Sequence, residues 1–230
     1  MIILAIETAT EACSAAVYCE GTLYEHYRLA PREHSRLILP MIDEVLAEGG
    51  FSLSQVDALA FGRGPGSFTG VRIAAGVAQG IAFGADLPVV PVSTLAALAS
   101  EAFEECDADW VLSCIDARMG EVYHGAYRRG ENSLPESDQA EMVTPPHCVE
   151  FPACCRRAGI GSGWDTYRDI LAERAGEGTL SVLEKRFPRA AHVARLGADG
   201  LTRGLAVPAA QALPVYLRDE VAKKTPRPSG

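Results

Sequence analysis

Two stretches far apart in the chain are written on one plan, and that plan limits the folds open to it. Residues 2–7 (IILAIE) form an apolar run ending in an acid, followed by a turn and a second apolar run over 13–19. Residues 110–116 (WVLSCID) do the same, with Ala117-Arg118-Met119-Gly120 as the turn and 121–128 as the second run. Each reads as strand, acid, turn, strand, and Gly21 marks a further turn into a strand over 23–29. Recurrence of such a unit points to partial internal duplication, although two short units can also coincide by chance.

The first unit continues with a helix over 36–48, stopped by Gly49-Gly50, and a strand over 58–62. A Gly-rich loop (63–69), a helix (70–84), a strand (89–92) and a helix from the Ser93 cap to about 105 follow. The order β-β-β-α-β-α-β-α is an antiparallel meander extended by crossover helices into a mixed sheet. Two copies describe the actin type of ATPase fold, a likeness of topology that carries no activity by itself. Residues 130–152 are polar and Pro-bearing and read as loop; helices are expected at 164–175 and 190–204, and the basic, Pro-rich tail 223–230 reads as loose.

Composition sets outer bounds. With 48% apolar and 22% charged residues, the 230-residue chain can bury a core without disulfide or metal staples. The 21 Lys+Arg against 30 Asp+Glu give a charge of −9, which repels nucleic-acid phosphates and disfavours a freestanding nucleic-acid binder. Seven cysteines, an odd number without C-x-x-C, read as reduced thiols of a cytoplasmic protein. The N-terminus lacks a basic leader, and the apolar run 73–85 is shorter than the ~20 residues of a membrane span, so none is expected.

Two features carry chemistry or contact. The loop places four glycines in nine residues (62, 64, 66, 70) between a strand and a helix, where backbone amides can approach an anion. It is not a Walker A loop, having no Lys, and a tight turn that needs small residues explains the same glycines. The flanking helices are too apolar for packing on a sheet alone. In 36–48 the residues Leu37, Ile38, Leu39, Met41, Ile42, Val45 and Leu46 sweep roughly 200°, where an ordinary sheet-packed helix needs little more than ~100°. In 70–84 the only polar side chain after Arg72 is Gln79, and Gly76, Gly80 and Gly84 form a small-residue seam beside Ile73, Val77 and Ile81. A helix apolar all round must be covered all round, so this pair is expected to meet a partner protein.

Catalytic patterns are scarce. The five histidines form no H-x-x-x-H or H-E-x-x-H, and no G-x-S-x-G occurs. Glu7 and Asp116 can be read as paired metal acids or as plain strand ends. Asp116, Arg118 and Glu121 can be polar machinery or a charged hairpin turn.

The blocks ILAIETAT (3–10), PREH (31–34), GRGPGSFTGVR (62–72), VSTL (92–95), IDARMGEVY (115–123) and PVYLR (214–218) resemble the TsaB (YeaZ) family. These are the bacterial dimerisation subunits of the tRNA N6-threonylcarbamoyladenosine machinery. The resemblance is weak between about 130 and 210. It implies an α/β, actin-like ATPase (RNase H-like) fold whose β-β-β-α-β-α-β-α unit is duplicated. A first domain would cover 1–106, a reduced second domain 107–213, and a C-terminal segment 214–230 would pack on the first domain and end in the basic tail.

The resemblance also implies a non-catalytic scaffold. Its helices 36–48 and 70–84 would bind the catalytic paralogue TsaD through Leu37, Ile38, Leu39, Met41, Ile42, Val45, Leu46, Ile73, Gly76, Val77, Gly80 and Ile81. The ATPase TsaE would join, for threonylcarbamoyl transfer to N6 of adenosine 37 in tRNAs reading codons that begin with A. Alone, the subunit would homodimerise through the same face. The metal-binding H-x-x-x-H of TsaD is absent here, so no metal is expected. A vestigial nucleotide or anion loop would comprise Glu7, Gly64, Gly66, Ser67, Thr69, Gly70, Asp116 and Arg118, with no cofactor tightly bound and ATP or ADP only within the complex. Partners would hold the tRNA, with local help from Arg218, Lys223, Lys224 and Arg227, and no membrane is involved. The rival readings are a standalone actin-fold ATP-dependent kinase or glycoprotease-like enzyme, resting on the loop with Glu7 and Asp116, and a tRNA-binding module, which the −9 charge opposes.

Overall fold

The computed structural model describes residues 1–137, 139–152, 156–176 and 178–218. Its first sheet has the order β3-β2-β1-β4-β5. The strands are β1 (Ile2–Glu7), β2 (Ala12–Cys19), β3 (Thr22–Leu29), β4 (Ala58–Gly62) and β5 (Val89–Val92). The first three are antiparallel, and β4 and β5 run parallel to β1. Strand β1 is apolar at every position before Glu7 because both its faces are covered. Leu4 and Ile6 enter a core roofed by α1 (His34–Gly49) and α2 (Phe68–Ala85). Ile3 and Ala5 enter a second core under α5 (Ala190–Thr202).

That second core is built from small residues. Ala5, Ala16, Ala58 and Ala60 of the sheet meet Ala190, Ala194 and Ala198 of α5. The approach is so close that a Cβ on Gly197 would lie 2.5 Å from the Ala60 Cβ. Side chains of the sheet hold the start of α5: Ser14 Oγ accepts from the Ala190 N–H at 2.9 Å and Glu25 Oε1 from the Ala191 N–H at 3.0 Å. So a helix from the last quarter of the chain closes the sheet made by the first.

The second sheet has the order β11-β10-β6-β7-β8, with β9 also paired to β7. Its strands are β6 (Trp110–Arg118), β7 (Glu121–Arg129), β8 (Pro135–Glu136), β9 (Met142–Thr144), β10 (Arg156–Ile160) and β11 (Thr179–Leu183). One face packs on α3 (Thr94–Glu105) through Leu95, Leu98 and Phe103. The other packs on α4 (Ser162–Ala175), where buried Trp164 donates its indole N–H to Leu112 O at 2.9 Å.

Most elements fall within two residues of their expected ends. The exceptions lie in the second half. Residues 130–152, expected to be loop, supply the short strands β8 and β9 to β7. Strands β10 and β11 differ from the sequence expectation: Arg156 and Arg157 interrupt the apolar pattern of β10, and the buried Arg157 donates through Nη1 to the Ala175 carbonyl at the end of α4. The five described cysteines are free. Cys154, Cys155 and the tail 223–230 lie outside the described residues. Among the described residues α2 is the one helix whose length and composition would suit a membrane span, and its inner face (Ala74, Ala75, Ala78, Ala82) is buried in the first core.

Two helical glycines give opposite expectations. Gly197→Ala crowds Ala60 and is expected to destabilise the fold by about 1–3 kcal/mol. Gly76→Ala, whose Cβ meets nothing within 4 Å, is expected to stabilise by about 0.5–1 kcal/mol. Urea midpoints of the two variants check both signs.

Candidate functional site

The Gly-rich loop leads from β4 into α2 and packs on the turn between β1 and β2. The Ser67 N–H donates to Ala9 O at 2.7 Å, and the Thr8 hydroxyl donates to Gly70 O at 2.7 Å. Ser67 caps α2, its Oγ accepting from the Gly70 N–H at 3.0 Å. A Cβ on Gly66 would stand 2.4 Å from Ala9 O, and one on Gly70 2.1 Å from Thr8 O. A Cβ on Gly62 would meet Glu7 Oε2 at 1.9 Å. Close packing within the chain therefore demands these glycines, whether or not anything binds the loop.

Of the eight residues expected at a loop site, six line one cleft of about 800 Å³: Gly66, Ser67, Thr69, Gly70, Asp116 and Arg118. Glu7 and Gly64 do not line it. The cleft lies between the β1–β2 turn, the start of α2 and the β6–β7 hairpin. Arg118 spans its mouth, 3.0 Å from Asp116 Oδ2 and 3.0 Å from Glu11 Oε1. Two carboxylates thus occupy the arginine that a phosphate would use, and they add negative charge. Asp116 acts as a hairpin brace, accepting the Arg118 N–H at 2.8 Å. Arg218, expected near tRNA, is paired with Glu121, while Lys223, Lys224 and Arg227 lie outside the described residues. Glu11, the acid that completes the clamp, had no sequence signal because only the fold brings the two hairpins together.

Glu7 is sealed beneath the loop at 0% exposure. Its Oε1 accepts the Ala9 N–H at 2.6 Å and its Oε2 the Thr94 hydroxyl at 3.2 Å. Burial pushes its carboxyl up to about 7, against hydrogen bonds from the Ala9 backbone, the Thr94 side chain and the Thr8 backbone that favour the charged form. Among the described residues no three His, Cys, Asp or Glu side chains gather as a metal would need.

The helix face is the other candidate. The twelve residues expected there divide by burial. Ile38, Met41, Ile42, Val45 and Leu46 are buried in the chain's own core, because α1 lays that side on β2 and β3. Leu37, Ile73, Val77 and Ile81 are half-buried on the flanks, and Leu39, Gly76 and Gly80 are exposed. Among the described residues a Cβ on Gly76, Gly80 or Gly84 would meet nothing within 4 Å, so the seam faces away from every described neighbour. Phe83 stands beside it, 85% exposed. Sequence reasoning passed over Phe83, although seven residues from Gly76 is two turns of helix and hence the same face. A contiguous apolar stripe of this kind marks a contact surface.

Comparison with known proteins bears on both sites. The profile of the family described as TsaD: tRNA N6-adenosine threonylcarbamoyltransferase matches residues 26–225. The tRNA threonylcarbamoyladenosine biosynthesis protein TsaB of Escherichia coli K12 is 45% identical over 236 residues, covering 98% of this chain and 99% of its own. The Haemophilus influenzae protein of the same name is 42% identical, covering 98% of each. The solved structure of YeaZ from Pseudomonas aeruginosa superposes with a TM-score of 0.87 at 44% identity, covering 94% of this chain and 99% of that one.

The buried carboxyl of Glu7 gives a pH test. Its folded value of about 7 lies above the ordinary 4.5, so the folded state holds the proton longer and stability falls as pH rises from about 4.5 to about 7. Glu7→Gln keeps the shape and removes the charge. It is expected to raise stability at pH 8 by on the order of 2–3 kcal/mol and to leave pH 4 nearly unchanged. Thermal melts of both proteins across pH 4–8 check this.

Proposed function

The chain belongs to the TsaB (YeaZ) family, and from that premise we propose that it is a non-catalytic subunit of tRNA threonylcarbamoyladenosine synthesis, docked on the paralogous transferase TsaD. The observation that carries the docking role is the solvent-facing seam of Gly76, Gly80 and Gly84 with Phe83 beside it. Small residues let a second helix approach closely, and the aromatic supplies area to bury. The interface is the exposed part of the expected set: Leu37, Leu39, Ile73, Gly76, Val77, Gly80 and Ile81, joined by Phe83 and Gly84. Ile38, Met41, Ile42, Val45 and Leu46 shape it from beneath. Without TsaD the same face pairs two copies of the chain, and TsaE joins the assembled complex.

The pathway is that of the TsaB proteins to which the chain aligns over nearly their whole lengths. Threonylcarbamoyl transfer to N6 of adenosine 37 is the work of the partner. The −9 charge fits a cytoplasmic subunit that leaves tRNA to its partners. The cleft is poorly suited to nucleotide, since Arg118 is committed to carboxylates and Glu7 is buried. Nucleotide would matter only in the assembled complex.

We further propose that the fold is a duplicated actin-like unit with a reduced second copy. The two strand orders support this: β3-β2-β1-β4-β5 and β8-β7-β6-β10-β11 run alike, meander first and parallel strands after. The division at 106/107 follows the sheets, while α5, placed in 107–213 by position, serves the first sheet by packing. The segment after 213 returns to the first unit, where the Val215 N–H donates to Arg63 O at 2.8 Å.

Two experiments test the proposal. Val77→Glu and Phe83→Glu, neither in a buried position, are expected to reduce co-purification with TsaD at least tenfold while circular dichroism stays unchanged. Normal co-purification by both folded variants would contradict the docking role. Isothermal titration of the isolated chain with Mg-ATP is expected to give no micromolar binding; micromolar binding lost in Glu7→Ala would favour the kinase reading.

A further inference from the structure

The exposed row on α2 extends past its glycines. Phe68, Arg72, Gly76, Gly80 and Gly84 follow one another at intervals of four, a row that winds about 40° round the helix at each step, so that each is adjacent to the next. Arg72 and Phe68, at the N-terminal end of this row, form a stack. The Arg72 Cζ lies 3.5 Å from the Phe68 ring centroid and 5.6 Å from that of Tyr216, which arrives from the C-terminal segment. The Tyr216 hydroxyl accepts from Arg72 Nε at 2.8 Å.

The C-terminal segment is itself tied to α2 and its loop. Gln79 Nε2 donates to Ala212 O at 3.0 Å, and the Val215 N–H donates to Arg63 O at 2.8 Å. Arg72 is therefore held in place while remaining exposed. Only its Nε is used. Among the described residues neither terminal nitrogen has an acceptor and no carboxylate pairs with it, whereas Arg63, Arg118, Arg156, Arg186, Arg189 and Arg218 all meet acids. In a chain with a nine-charge acidic excess, an arginine fork fixed by aromatic rings and left without an acid lacks a partner of a definite kind.

We propose that Arg72 determines specificity on the docking face, its fork taking a side-chain carboxylate of the transferase subunit. This rests on the docking role proposed above. A helix lying along the glycine row runs onto Arg72 at one end, so contact with the seam and contact with the fork belong to one surface. A planar guanidinium binds a carboxylate through two parallel hydrogen bonds, which an ammonium cannot reproduce. Stacking between Phe68 and Tyr216 orders the side chain before binding and lowers the entropy lost on association.

The test is isothermal titration of the full chain with TsaD at low and high salt, using Arg72→Gln, Arg72→Lys, Tyr216→Phe and Val77→Glu. Arg72→Gln, which keeps the melting temperature, is expected to weaken binding at least tenfold at low salt and to flatten the salt dependence. Arg72→Lys is expected to weaken binding while keeping the salt dependence, and Tyr216→Phe to cost less than Arg72→Gln. Arg72→Gln within twofold of wild type, with Val77→Glu abolishing binding, would overturn the carboxylate contact and leave the docking face standing. Wild-type binding by Val77→Glu as well would remove the face and the proposal with it. A loss from Tyr216→Phe equal to that from Arg72→Gln would show Arg72 to be a tether for the C-terminal segment, and would also overturn the proposal.

Discussion

The contact of the α2 start with the β1–β2 turn governs much of the molecule. Ser67 N–H on Ala9 O and Thr8 hydroxyl on Gly70 O bring two backbones together at a distance that only glycine permits at 66 and 70. That contact fixes the point and direction in which α2 leaves the sheet. The helix then lays Ala74, Ala75, Ala78 and Ala82 on the first core, and its opposite side, the glycine row, is presented outward as a consequence. The same contact covers Glu7, so the acid at the end of β1 becomes part of the interior and is lost to the cleft.

Helix α2 consequently has two apolar faces with different fates. The inner face is satisfied by the sheet. The outer face, with Phe83 almost wholly exposed, has no counterpart among the described residues, and leaving it in water forgoes burial worth about 25 cal/mol per Å². At the cleft, Arg118 is paired with Glu11 and Asp116, whereas the exposed side of α2 is the surface proposed for contact with another protein. Arg72 and Tyr216 extend that side towards the C-terminal segment.

Strand and helix positions were legible wherever periodicity was strong and punctuated. Strands β4 and β5 and helix α3 were located with their ends, because glycines and the Ser93 cap bracket them. Strands β10 and β11 were not, because buried Arg157 gains its partner from α4, which no local pattern reveals. The packing of α5 on the first sheet was likewise invisible, since only Gly197 and a run of alanines hint at a close approach. The helix pair was found by its excess of apolar residues, yet the excess on α1 was overcounted: Ile38, Met41, Ile42, Val45 and Leu46 meet their own sheet. Sequence shows how much apolar surface a helix carries and leaves open which part of it the fold has already used.

Hydrogen exchange of the full chain, with and without TsaD, is the most direct measurement of the central claim that the outer side of α2 is the docking seam. Complex formation is predicted to slow exchange across the α2 residues beyond the cleft, Ala74–Ala85, and the adjoining part of α1, and to leave the β6–β7 hairpin and the β1–β2 turn unchanged. Protection confined to the cleft or the hairpin, with α2 exchanging as in the free chain, would contradict the account.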